Sequence, residues 1–135
     1  MRKAEAAANG GNLERAREFY NKAIGCYGDE SVEGAVARVG VAAVYAELDQ
    51  PDDAWNALSE ARPVLATAEK AVLHARALNQ MGVLRRRSEA FDEARTLHDE
   101  ARGVAAEAGD LRQQAVALRN LATIERAEGN PTRAV

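Results

Sequence analysis

Cysteine is nearly missing: Cys26 stands alone among 135 residues, which excludes an internal disulfide and a zinc site of cysteine ligands. Aromatic residues are 4% of the chain and prolines number 3. No segment alternates β-branched or aromatic residues with polar ones, so a β-rich fold is excluded. Long apolar runs are also missing. The longest, around 39–46, falls far short of the ~18 residues a membrane span needs. The opening "MRKAEAAANGG" carries charge but no apolar stretch, unlike a secretory signal. A basic excess is absent too. The net charge is −3 with pI ≈ 5.5, so there is no bulk field to draw nucleic acid. These absences lead us to expect a cytoplasmic protein that binds neither membrane nor nucleic acid directly.

What is present is helix-forming. Hydrophobic residues make up 47% of the chain, and much of that share is alanine, the strongest helix former. The alanines keep a register. Ala16, Ala54, Ala94 and Ala134 fall at intervals of 38, 40 and 40. Ala23, Ala61 and Ala101 stand seven residues after the first three, and Tyr20, Leu58 and His98 stand four after them. Val41, Met81 and Leu121 precede the later anchors, each followed by a small residue: Ala42, Gly82 and Ala122. A period near 40 is the mark of a repeat array.

Turn residues agree with this phase. Gly11-Asn12, Asp49-Gln50-Pro51 and Gly129-Asn130-Pro131 precede the repeated helix, while Gly28-Asp29 and Gly109-Asp110 separate one unit from the next. Glycine suits the end of a helix, and Asn, Asp or Pro suits the start. The spacing predicts a helical stub at 2–9, then helices near 13–26, 31–48, 51–67, 70–87, 91–107 and 111–128, with another beginning at Pro131. Pro63 is expected to kink or shorten its helix. Each unit is then a helix pair that buries its stripe only by stacking on its neighbours. The expected fold is all-α, a right-handed solenoid of antiparallel helix pairs. It forms one array over 1–135, with repeats at about 1–28, 31–68, 70–108 and 111–135. The first and last units read as cut short, so we expect a piece of something longer. We also expect the 111–135 end to fray or self-associate.

"ALNQMGVLRRRSEAFDEARTLHDEA" and "ALRNLATIERAEGNPTRAV" resemble tetratricopeptide repeats. In that pattern the first helix carries a large residue, then Leu-Gly, then an aromatic. Leu78, Met81, Gly82 and Arg85 hold those places in one unit; Leu118, Leu121, Ala122 and Glu125 in the next; Arg38, Val41, Ala42 and Tyr45 in the one before. Arg85 and Glu125 replace the usual aromatic, and His98 stands where Phe or Tyr is common. The long period is similar to that of kinesin light chains and of sensor arrays in bacterial multidomain signalling and transcription regulators.

The resemblance implies a non-catalytic scaffold that binds protein or extended peptide along a concave groove lined by first helices. An alternative is a regulatory or sensor array of a larger bacterial regulator. By helical position, the groove residues are Arg76, Asn79, Gln80, Val83, Arg86 and Arg87 on one helix. On the next they are Val116, Arg119, Asn120, Thr123 and Arg126. Val36, Val39, Gly40, Ala43 and Glu47 form a small apolar end. Amides hold a peptide backbone by donor and acceptor, and arginines clamp carboxylates, so the expected partner is a protein or extended peptide, with acidic segments among the candidates. Members that hold a C-terminal carboxylate use a Lys/Asn/Asn/Lys/Arg set. Val39, Ala43, Gln80, Val116 and Asn120 hold those places, so chaperone-tail binding is not expected.

No catalytic constellation, phosphate loop or metal motif is present, and no cofactor is expected. His74, His98 and Cys26 read as packing residues, Trp55 as either packing or contact, and Arg85-Arg86-Arg87 as a solvated helix end.

Overall fold

A computed structural model describes the backbone of residues 3–129 and side chains from residue 11 to 129. Among the described residues the chain is six helices and no strand. They are α1 (Lys3–Tyr27), α2 (Val32–Glu47), α3 (Pro51–Thr67), α4 (Ala71–Arg87), α5 (Phe91–Glu107) and α6 (Leu111–Ala127). They pack as sequential antiparallel pairs. Pro131 and Ala134, and the helix expected to hold them, lie outside the described residues, as does Met1.

Two helices differ from expectation. No break occurs at Gly11-Asn12: α1 runs unbroken through both. Glycine within a helix costs only about 1 kcal/mol relative to alanine, which the flanking turns offset. Nor does Pro63 shorten α3, which continues to Thr67. The missing N–H there forfeits one helical hydrogen bond, yet Leu65 beyond it is fully buried and anchors the last turn.

The helices stop by one device. Gly28, Asp49, Glu69, Glu89, Gly109 and Gly129 all take positive φ. From Asp49 onward these residues stand twenty apart. Behind each of the four from Asp49 to Gly109, the next amide reaches back into the finished helix: Gln50 N–H to Tyr45 O at 2.8 Å, Lys70 to Leu65 at 2.9 Å, Ala90 to Arg85 at 2.8 Å and Asp110 to Ala105 at 2.9 Å. These bonds satisfy carbonyls that a helix end would otherwise leave open. Three of the stops carry a side chain rather than glycine, in a region that disfavours it by about 1 kcal/mol or more.

The Cα framework forms two compact units, Met1–Val64 and Leu65–Val135. In the first, α1 packs on α2, and Arg38 of α2 ties α2 to α3 through Glu60. In the second, α4 packs on α5, α5 on α6, and α4 on α6. Of the alanines in register, Ala54, Ala61, Ala94 and Ala101 are fully buried, while Ala16 and Ala23 are half-buried. Leu58 and Val41 fill the first unit's core, and Leu65, Leu78 and Ile124 the second's. Burying one such leucine contributes about 1.5–3 kcal/mol. Cys26, expected to pack, is instead exposed, on a stretch of α1 that also exposes Phe19 and Tyr27.

Candidate functional site

The expected groove residues of α4 and α6 all fall in the second unit, on helices that touch. Arg76, at the outer surface of α4, is exposed, and Gln80, Val83 and Arg86 are half-buried. On α6, Arg119 and Arg126 are exposed, while Val116, Asn120 and Thr123 are half-buried. The Thr123 hydroxyl donates to the Arg119 carbonyl one turn back. Seven residues separate Arg119 from Arg126, two turns along one face.

Asn79 does not belong to that surface. It is 4% exposed. Its amide nitrogen donates to Gln113 Oε1 of α6 at 3.2 Å, and its Oδ1 lies 2.8 Å from His98 Nδ1 of α5. Packing of α6 closes over it, so Asn79 joins three helices rather than greeting a ligand. In the α2 set, Val39 is buried and Gly40 lies beneath the Tyr20 ring, so neither lines an open groove.

Since Asn79 Oδ1 accepts, His98 Nδ1 carries the proton and Nε2 is the bare nitrogen. Nε2 has no hydrogen-bond partner and rests against Gly82, where a Cβ would stand 2.5 Å away. Burial, chiefly, and the Arg86 charge lower the His98 pKa from 6.5 to about 4, with Asp99 opposing. The imidazole is therefore neutral at physiological pH and serves packing, as its repeat position implies.

Several arginines are ion-paired. Arg38 bonds Asp29 and Glu60 at 3.0 Å, Arg85 pairs with Glu93 at 3.1 Å, and Arg102 with Asp99 at 3.4 Å. Arg95 meets Asp92, Glu125 and Glu128, and Arg17 meets Glu14. The Arg85–Glu93 and Arg95–Glu125 pairs account for the two departures from the repeat's aromatic, which exchange a ring for an ion pair. Arg85 is thus not simply solvated. By contrast, among the described residues no ion pair joins Arg76, Arg86, Arg119 or Arg126 to a carboxylate.

Among the described residues no group of His, Cys, Asp and Glu is placed to hold a metal, and no helix is long and apolar enough to cross a membrane.

Helices that alternate in antiparallel pairs, with small residues in register and one backbone stop between them, define an α-helical repeat protein. Residues 73–135 match the tetratricopeptide repeat family. Such domains generally serve as protein-interaction scaffolds and are typically non-catalytic. The fold is also that of BtubC (BKLC) from P. vanneervenii, a kinesin light chain-like tetratricopeptide protein. The two share 23% identity at a TM-score of 0.77, over 92% of this chain and 53% of that one. The chain thus spans about half the length of that protein. No curated protein matches it.

Proposed function

We propose that the chain is a protein-interaction module that binds an extended, acidic peptide segment across α4 and α6. The observation that supports this reading is that Arg76, Arg86, Arg119 and Arg126 have no carboxylate partner among the described residues, as is also true of Arg87 and Arg112 on the same two helices, whereas Arg38, Arg85 and Arg95 are ion-paired. Arginine presents a planar fork suited to carboxylates. Asn120, half-buried beside them, offers both donor and acceptor to a peptide backbone, while the Gln80 side-chain oxygen is buried. Val83, Val116 and Thr123 supply methyl groups between the polar residues.

The test is fluorescence anisotropy with a labelled, glutamate-rich extended peptide. A charge-assisted hydrogen bond is worth ~1.5–3 kcal/mol, so Arg119→Ala should weaken binding about ten-fold or more. Stability should hardly change, because an exposed charge contributes little to it. Asn120→Ala should weaken binding with no change in salt dependence, since a neutral amide releases no counterion. Equal binding by both variants and the parent chain would refute this surface and move the interface to the second helices, around Trp55.

A further inference from the structure

The first unit contains an open cleft of ≈ 200 Å³ between α1 and α3, floored by α2. Three helical stripes converge on it: Asn21 and Ile24 of α1, Val41 and Tyr45 of α2, and Asp53 and Ala57 of α3. The Asn21 amide donates to the Tyr45 hydroxyl at 3.2 Å, fixing the phenol at one wall. Deeper in, Arg38 holds Glu60. Asp53 has no such cation among the described residues.

The chain carries its own control for this place. Forty residues on, the positions of Tyr45 and Asp53 are held by Arg85 and Glu93, and those two form an ion pair with Nε 3.1 Å from Oε2. At the same offset, the positions of Val41 and Ala57 are held by Met81 and Leu97, both buried. The second unit therefore provides both a guanidinium for its carboxylate and bulk for its interior. The first has the carboxylate, a neutral ring in place of the guanidinium, and smaller floor residues that leave room.

We propose that this cleft receives an arginine side chain from a protein partner, with Asp53 taking the guanidinium. The guest stands where the Arg85 head group stands in the next repeat. Its aliphatic stem lies on Ile24, Val41 and Ala57. Its guanidinium plane stacks on the Tyr45 ring, and its remaining N–H groups reach the side-chain oxygens of Asn21 and Asn56. Arginine is favoured over lysine because a fork can meet one carboxylate and one ring together, whereas an ammonium is a point charge. This site lies in the other unit from the α4–α6 surface, selects the opposite charge, and does not depend on that reading.

The ¹⁵N-labelled chain titrated with Nα-acetyl-arginine methylamide tests it, with the lysine and citrulline counterparts run alongside. Saturable shifts of the Asn21 and Asn56 side-chain amides are expected with the arginine compound alone. Asp53→Asn should weaken that binding about ten-fold or more, the loss of one charge-assisted bond. Tyr45→Arg, which supplies the cation internally, should abolish it without lowering thermal stability. No saturable shift, an equal response to citrulline or lysine, or undiminished binding by Asp53→Asn would overturn the proposal.

Discussion

Gly82→Ala is a sharp test of how the second unit is held. In an open helix the change would stabilise by up to about 1 kcal/mol, the propensity difference. Here the new Cβ would stand 2.5 Å from His98 Nε2, 2.6 Å from Cε1 and 2.8 Å from Cδ2. The ring must move, and it has nowhere to go. It is fully buried, and its far edge is held by Asn79 at 2.8 Å. Overpacking costs typically ~1–3 kcal/mol. Breaking the Asn79 bond adds ~1–3 kcal/mol, because a buried oxygen loses its donor. The net expectation is a loss of about 1–5 kcal/mol, read as a lower urea midpoint by far-ultraviolet circular dichroism. Two controls fix the cause. Gly40→Ala meets the Tyr20 ring at 2.6 Å, but that residue is 36% exposed and can swing outward, so the cost should be much smaller. Gly103→Ala, with nothing within 4 Å, should stabilise by about 0.5–1 kcal/mol. Adding His98→Ala to Gly82→Ala should make the pair less destabilising than the sum of the two. Strict additivity, or a Gly82→Ala chain as stable as the parent, would refute the account.

Further outcomes follow from the same geometry. Glu89→Gly relieves a side chain at φ 64 and should raise stability by about 1 kcal/mol, while Gly109→Ala, at φ 71, should lower it similarly; thermal midpoints decide both. His98 has a folded pKa of about 4 against 6.5 unfolded. Between those values the unfolded chain takes up a proton that the folded chain refuses. Stability is therefore complete above about pH 6.5 and falls as the pH drops toward 4, by about 3 kcal/mol in all. Denaturation midpoints across that range should slope less in His98→Gln, and an unchanged slope would remove His98 as the cause.

The repeat was readable because its signal is carried by residues whose size matters. Ala54, Ala61, Ala94 and Ala101 are fully buried, where a larger side chain would have to displace its neighbours. Leu78, Met81 and Gly82 also read correctly as core. What escaped depends on neighbours rather than on spacing. Asn79 lies about a quarter turn from the core stripe, where a residue is buried or exposed according to what the next helix brings. Gln113 was the available signal, a second amide that would otherwise be stranded in the interface. The Glu69 and Glu89 stops escaped because glutamate carries no sign of a left-handed backbone. The run of α1 through Gly11 escaped because glycine permits a turn without requiring one. The cleft at Asp53 leaves no mark in its own stretch of sequence; its signal is the exchange of Tyr45 for Arg85 at one repeat position.

The stops at Asp49, Glu69, Glu89, Gly109 and Gly129 also govern how such a chain can change length. Each junction from Asp49 to Gly109 is closed by backbone bonds with no slack loop to absorb an extra residue. One residue inserted within a helix turns everything after it by about 100°, carrying the small residues off their seam and large ones onto it. Slips of one to three residues are thus penalised throughout the body of every helix. Duplication or loss of a full forty-residue pair changes no angle inside the pairs that remain. Length in this protein is effectively quantised, and its evolution is expected to proceed by counting pairs rather than by trimming them.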